Sequence, residues 1–243
     1  MDKIIVVVPT YNEADNLEPL ASELWALPIP DLKILVVDDA SPDGTGDIAD
    51  GMVMQNPGKI SVLHREGKLG LGSAYISGFK MAIAERPDAI VQMDADFSHS
   101  PRYLPNFLDK LRESDAVLGS RYISGGSLDE RWGFGRRYLS WFGNFYSRTI
   151  LNMSIQDATG GFRMWRRKTL EGMPLDLIRS DGYVFQVEMA YVARKLGYNL
   201  VEHPIHFEDR RIGQSKMSFR IQIEAAVRVW QILFLHRNLS KPD

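Results

Sequence analysis

The 243-residue chain carries 29 lysines and arginines against 31 acidic residues, a net charge of −2, so it offers no general basic surface for nucleic acid. It has no cysteine, which excludes disulfides, thiolate metal sites and thiol nucleophiles. No run approaches the ~20 apolar residues that span a bilayer, so membrane attachment, if the function needs it, is peripheral.

The chain opens on "KIIVVVP", an apolar β-branched run shorter than the core of an export signal and closed by proline. It predicts a first strand and a cytoplasmic protein. Helical and strand patterns then alternate: "NLEPLASELWAL", "KILVVDD", "TGDIADGMVMQ", "ISVLHR", "GSAYISGFKMAIAE", "AIVQMDAD", "YLPNFLDKLRE" and "AVLGSRY". Strands apolar on both faces and separated by helices predict a mostly parallel central sheet covered on both sides, a doubly wound, Rossmann-like α/β fold. After about residue 123 the alternation breaks into "GGSLDERWGFGRRYLSWFGNFYSRTILN", rich in glycine, arginine and aromatics, and one more strand candidate follows, "NLVEHPIHFED". This second half reads as a substrate-side extension of one domain. At the end, "FRIQIEAAVRVWQILFLHR" sets Arg220, Glu224, Arg228 and Gln231 on one helical stripe and leaves a broad apolar face with Trp230 and Phe234. Two readings stand: a helix lying on a membrane or docking to a membrane-embedded partner, and a terminal helix packed on the sheet. The Trp132 to Arg148 segment is a second candidate interface.

Ligands of open α/β sheets bind outside the carboxyl ends of the strands. Those exits hold "PTYNE", "DDASPDGT", "REGKLGLGSA", "DADFSH" and "GSRY". Asp94 and Asp96, two residues apart, project to the same side, and two like charges there call for a hard divalent cation such as Mg²⁺ or Mn²⁺. The plainer reading makes Asp96 and Ser98 caps of the helix after Ser100-Pro101. "SPDGT" is a turn in its own right, but a turn does not require the Asp38-Asp39 pair before it; an aspartate there suits hydrogen bonds to a nucleoside. "GKLGLGSA" is neither a Walker A loop nor a dinucleotide fingerprint, because Tyr75 stands at the third glycine position. Its glycines suit a close backbone approach, with Arg65 or Lys68 near an anion.

"PTYNE", "VVDDASPDGT", "KLGLGSA", "DADFSH", "GSRY", "DATGGFR" and "HFEDRRIGQSK" occur in this order across about residues 3 to 220. Together they resemble the polyprenol- and dolichol-phosphate mannosyltransferases, a branch of the family 2 glycosyltransferases with the GT-A fold. The resemblance implies a single GT-A domain over residues 1–218, with 1–123 as the nucleotide-binding half and 124–218 as the acceptor half, and an amphipathic helix and tail over 219–243. It implies that Pro9, Tyr11, Glu13, Val37 and Asp39 hold the guanosine of GDP-mannose, and that Asp94, Ala95 and Asp96 carry the metal and the diphosphate. Arg121, Arg210 and Lys216 would bind phosphate on the donor and acceptor side, with Asp96, Arg210 and Lys216 the residues on which turnover depends. For Arg121 and Arg210 the plainer reading is an ion pair, and for Glu13 a place at a helix N-terminus.

The implied reaction is inverting transfer of mannose to a polyprenyl monophosphate on the cytoplasmic face of a membrane. An acceptor phosphate is already anionic near neutral pH and needs no general base; the sequence offers no Ser/His/Asp set, and His99, His203 and His206 read as structural. Two rival functions remain: a UDP-sugar-dependent transferase acting on the same lipid phosphate, and a non-catalytic nucleotide-binding subunit of a membrane complex.

Overall fold

The computed structural model describes residues 3–209 and 219–240. Among the described residues nine strands run in chain order as β1 (Lys3–Thr10), β2 (Asp31–Asp38), β3 (Ile60–His64), β4 (Ala89–Gln92), β5 (Ala116–Ser120), β6 (Ser127–Leu128), β7 (Arg163–Arg166), β8 (Leu200–Pro204) and β9 (His206–Phe207). The α-helices are α1 (Ala14–Trp25), α2 (Thr45–Gln55), α3 (Leu71–Ala84), α4 (Leu104–Leu111), α5 (Phe134–Leu151), α6 (Arg167–Gly172), α7 (Gly182–Lys195) and α8 (Phe219–Leu235). Seven strands form one sheet in the order β3-β2-β1-β4-β7-β5-β8, and β6 pairs with β9 beside it.

Alternate strand residues fill two separate cores. Ile5, Val7, Leu35, Val37 and Ile90 face a layer that contains Phe79 of α3, Phe185 of α7 and Val229 and Ile232 of α8. Ile4, Val6, Val8, Ile34 and Val36 face Leu17 and Leu20 of α1, Met52 of α2 and Phe107 of α4. Both faces are covered, which is why the strands read as continuous apolar runs. The mostly parallel sheet is therefore the one expected from the sequence. β1 and β2 pair from Lys3↔Asp31 to Thr10↔Asp38, so their exits end level and their loops meet. Helix α3 lies directly on the sheet at Gly78, where a Cβ would collide with Val7 and press on Val37. That close approach sets α3's first turns over the exits of β1 and β4.

The second half breaks the alternation, as expected, but its strands pair in ways the sequence did not show. β7 enters antiparallel between β4 and β5, with Gln92↔Arg163 and Val117↔Met164 in register. The single strand expected over "NLVEHPIHFED" divides at Ile205 into β8, which joins the main sheet, and β9, which pairs with β6. Because β7 and β8 belong to the same sheet as β1, both halves of the chain contribute to each of the two cores.

Helix α8 fits each of its two sequence readings in part. Val229 and Ile232, with His236 just beyond the helix, are buried, while Val227, Trp230, Phe234 and Leu235 are exposed. Glu224, Arg228 and Gln231 are exposed as well, and the side chain of Arg220 lies outside the described residues. Helix α5 is its neighbour: Tyr146 donates its hydroxyl to the carbonyl of Ala226 and accepts from the Trp230 indole. No helix among the described residues is long and apolar enough to cross a membrane.

Candidate active site

The exits of β1 and β2 make one corner. Asp38 is buried and committed to the loop: its carboxylate accepts from the Thr10 hydroxyl at 2.9 Å, the Ser41 hydroxyl at 2.6 Å and the Ser41 amide at 3.0 Å. Asp43 accepts from the amides of Ala14 and Thr45, so "SPDGT" is the turn its residues predict and also braces the start of α1. Asp39 faces the next loop, accepting from Arg65 Nη1 at 2.6 Å and from the Leu69 amide at 3.2 Å. Burial raises the Asp39 carboxyl above its ordinary value although Arg65 pulls the other way. Lys68 sits 3.8 Å over the ring of Tyr11, so the β1 and β3 exits meet there. Of the two cations expected near an anion, Arg65 is thus paired with Asp39.

Among the other residues assigned to this corner, Pro9 is half-buried, and Glu13 precedes α1 and accepts from Asn16 Nδ2 at 2.7 Å. Its place at a helix N-terminus has direct support. Val37 is fully buried with its side chain in the core beside Gly78, so that side chain is closed to a nucleoside.

The β4 exit holds the paired carboxylates. Asp94 is partly open, its side chain 29% exposed, and Asp96 is buried at 6%. Asp96 Oδ1 accepts from the Ser98 amide at 3.1 Å and the Ser98 hydroxyl at 2.6 Å, so it closes its own turn instead of capping the next helix. Phe97 takes a left-handed φ of 63° within that turn, and Ala95 is buried. The Asp94 amide donates to His99 Nδ1 at 3.1 Å, and the His99 ring, 2% exposed, stacks on Phe162. His99 is structural in this sense: it sets the backbone of the acidic turn. His206 likewise pairs with Ser127 across β6 and β9.

Two residues that the sequence reading left unused reach this turn. Tyr75 of α3 donates its hydroxyl to Asp94 Oδ1 at 2.8 Å. Gln186 of α7 accepts from Gln92 Nε2 at 2.5 Å below the same exit. Opposite them, a Cβ on Gly161 would stand 3.3 Å from His99 Cε1 and 3.8 Å from Asp94 Oδ2, so glycine lets "DATGG" close over the carboxylates. A buried tyrosine or glutamine on an apolar helix face has to find a polar partner, and that requirement was the available signal.

The "DATGG" loop is itself held from several elements. Arg121 donates to both oxygens of Asp157 at 2.7 Å and to Thr159 Oγ1 at 2.9 Å. Glu202 accepts the amides of Gln156 and Asp157, and Asn144 of α5 holds Thr159 from the other side. Arg163, fully buried, binds the carbonyls of Ala158 and Gly160; burial pushes its guanidinium down to about 9, which leaves it charged at neutral pH. The phosphate contact expected of Arg121 therefore meets a guanidinium fork already engaged by a buried carboxylate. Arg210 and Lys216 lie outside the described residues. The chain leading to them is tied at Asp209, whose amide donates to Asp129 and whose carboxylate accepts from Arg136 at 2.8 Å.

The donor set at Asp94 and Asp96 fits Mg²⁺ or Mn²⁺, which take one or two protein carboxylates and complete their shell with substrate phosphates and water. Among the described residues no cluster of three or more His, Asp or Glu is placed to hold an ion.

A mostly parallel α/β sheet whose strand exits gather carboxylates, a braced turn and a glycine-lined loop has the architecture in which α/β proteins bind ligands at that rim. The profile described as glycosyl transferase family 2 matches residues 5–173, and the chain belongs to that family. It is 44% identical over 227 residues to the undecaprenyl-phosphate mannosyltransferase of Micrococcus luteus, covering 93% of this chain and 92% of that one. It is 42% identical over 217 residues to the polyprenol monophosphomannose synthase of Mycolicibacterium smegmatis, covering 89% and 81%. Among solved structures, the mannosyltransferase PcManGT of Pyrobaculum calidifontis, determined with GDP-Man and Mn²⁺, superposes with a TM-score of 0.64 at 20% identity, over 99% of this chain and 66% of that one. That likeness is one of fold, and the fold is GT-A.

Proposed function

We propose that this glycosyltransferase moves mannose from GDP-mannose to a polyprenyl monophosphate, with inversion, giving polyprenyl-phosphate mannose at a membrane surface. The named activities of the Micrococcus and Mycolicibacterium relatives support the sugar and the class of acceptor. The GDP-Man and Mn²⁺ of the Pyrobaculum structure support the donor and the metal. The observation that carries the reading is the Asp94–Asp96 turn, held by Tyr75 and His99 at a rim shared with Tyr11 and Asp39.

In this reading the guanosine lies in the corner of Tyr11, Asp39 and Lys68. Asp94 and Asp96 would hold a divalent ion, which would supply positive charge to the diphosphate of the departing GDP. Tyr75 and His99 fix the turn so that its carboxylates need not reorganise. Arg163, Arg121 and Glu202 hold "DATGG" as a stiff wall, with Gly161 leaving room for the reacting groups. Arg210 and Lys216 bring cationic charge to two polyanions that must approach in line. The acceptor phosphate is its own nucleophile, so no side chain has to take its proton. The exposed aromatics of α5 and α8 face the membrane that supplies the acceptor, and the protein sits on its cytoplasmic face.

The test is transfer of radiolabelled sugar into an organic-extractable lipid from GDP-mannose, with UDP-glucose and UDP-N-acetylglucosamine in parallel, each with and without chelator. Chelator-sensitive labelling from GDP-mannose alone is expected. Labelling from a UDP-sugar alone would reassign the donor, and metal-dependent GDP binding without lipid product would make the chain a nucleotide-binding subunit.

A further inference from the structure

Glu188 lies in α7, where every residue from Phe185 to Ala193 is buried, and is itself 0% exposed. A carboxylate there is costlier than an apolar side chain of the same volume unless every lone pair is used. Its oxygens are used in two directions. Oε1 lies 2.7 Å from Nε2 of His236, which is 1% exposed and follows the last residue of α8. Oε2 accepts from the Ser180 amide at 2.7 Å and the Arg179 amide at 3.1 Å. Glu188 thus ties the end of α8 to the turn before α7.

That turn is interlocked with the loop between β3 and α3. Asp181 accepts from the Gly72 amide at 2.7 Å. A Cβ on Gly70, whose φ is +101°, would collide with the Asp181 carboxylate, and one on Gly72 would stand 2.6 Å from the Ser180 carbonyl oxygen. On its other side the same loop reaches the donor corner: the Leu69 amide and Arg65 both bind Asp39, Arg65 also reaches the Gly70 carbonyl at 3.4 Å, and Lys68 covers Tyr11. His236 is therefore joined to Asp39 by hydrogen bonds and close glycine contacts, linked through the backbone at Ser180–Asp181 and along Leu69–Gly72. Among the described residues of α8, Val229 and Ile232 are buried in the core and Leu233 packs against it. The Glu188–His236 pair goes further and fixes where the 179–181 turn stands.

We propose that His236 and Glu188 are positioning residues for donor binding, acting through Ser180 and Asp181 on the β3–α3 loop. The C-terminal helix is then a strut of the nucleotide site, and because the same helix turns Trp230 and Phe234 outward, the strut runs from the lipid-facing surface to the guanosine corner. The inference rests on the reading that Asp39 lies at the donor nucleoside.

The experiment titrates GDP with Mn²⁺ into the full chain and measures donor and acceptor KM separately. Asp181→Ala removes an exposed side chain and the Gly72 bond. The pair Glu188→Gln with His236→Ala cuts the strut at its far end and leaves no buried charge unpaired. Ile232→Ala loosens α8 without touching the strut and serves as the control of matched thermal stability. We expect the GDP dissociation constant and the donor KM to rise about fivefold or more in the first two variants, with the acceptor KM unmoved and Ile232→Ala binding GDP as wild type. An equal loss of GDP affinity in Ile232→Ala would show general loosening and overturn the inference. Wild-type GDP affinity in both strut variants, beside weakened binding in Asp39→Ala, would overturn the strut alone. Wild-type affinity in Asp39→Ala would overturn the donor-site reading and remove the premise.

Discussion

The hydroxyl of Tyr75 donates to Oδ1 of Asp94 at 2.8 Å from a ring with no exposed surface. The ring stacks on Phe79 and Phe185 at centroid distances of 5.8 and 5.9 Å, and α3 is pressed onto the sheet at Gly78, so the hydroxyl has one place to go. Burial, with the Asp94 charge beside it, pushes the phenol well above its ordinary value and keeps it a donor. The residue that breaks a dinucleotide fingerprint is thereby the one that orients the more open of the two rim carboxylates.

Tyr75→Phe keeps the ring and removes only this bond. Partners that orient a ligating carboxylate are worth about 10–100-fold in metal affinity. The variant should therefore fold with nearly wild-type thermal stability and bind Mn²⁺ in the presence of GDP at least about tenfold more weakly. Electron paramagnetic resonance of free Mn²⁺ measures this directly, and unchanged affinity would remove Tyr75 from the site.

Asp96→Asn tests the acidic turn from the other side. An asparagine oxygen still accepts from Ser98 at the position of Oδ1, so the turn should persist while the charge is lost. Turnover should fall by about 10²–10³, the usual effect of removing one electrostatic stabiliser. Circular dichroism confirms the fold, and full turnover in a folded protein would dismiss the carboxylate's role.

How much of this was legible beforehand depended on whether a residue's partner lay close in the sequence. The exits of β2 and β4 could be read because their apolar runs lead into aspartate, that of β1 because its run closes on proline before "TYNE", and "SPDGT" because its turn chemistry is local. β7 was hidden: four residues with arginine at both ends do not look like the middle of a sheet, and Arg163 is buried there only because the carbonyls of Ala158 and Gly160 receive its guanidinium. Arg121 was readable as a cation but not as the partner of Asp157, which follows 36 residues later. The Glu188–His236 pair joins residues 48 apart, one in α7 and one just past the end of α8, and no local pattern links them.

The Arg121–Asp157 pair should govern acid stability. Burial alone would raise the Asp157 carboxyl, but the charge and hydrogen bonds of Arg121 hold it below its ordinary value. A carboxyl whose folded value is depressed contributes stability at all pH above its unfolded value, about 3.9, and loses that contribution as pH falls through the folded one. Asp157→Ala, which strands a buried guanidinium, should cost about 3–5 kcal/mol at pH 7. Asp157→Asn should also be destabilised at pH 7, but its stability should decline less steeply than wild type below about pH 4. Urea melts at pH 7, 5 and 3.5 check both, and parallel pH slopes for wild type and Asp157→Asn would deny the pair this role.

Phe134, Tyr138, Trp141, Phe142 and Phe145 of α5 are exposed on the outer side of a helix whose inner side carries buried Asn144, Ser147 and Leu151. Trp141 stacks on Phe145, and Trp230 stacks on Phe234 while donating to Tyr146, so aromatics of the two helices are linked across their contact. An aromatic surface of this extent suits the interfacial zone of a bilayer, where indole and phenol rings keep a polar edge in water. Trp141→Ser with Trp230→Ser should reduce co-sedimentation with phospholipid vesicles by about tenfold or more, since each large apolar side chain contributes ~1.5–3 kcal/mol when fully buried. Met54, 79% exposed on α2 against the opposite core, provides the control: Met54→Ser should bind vesicles as wild type does. Equal vesicle binding by the double tryptophan variant, at unchanged thermal stability, would move the membrane contact away from α5 and α8.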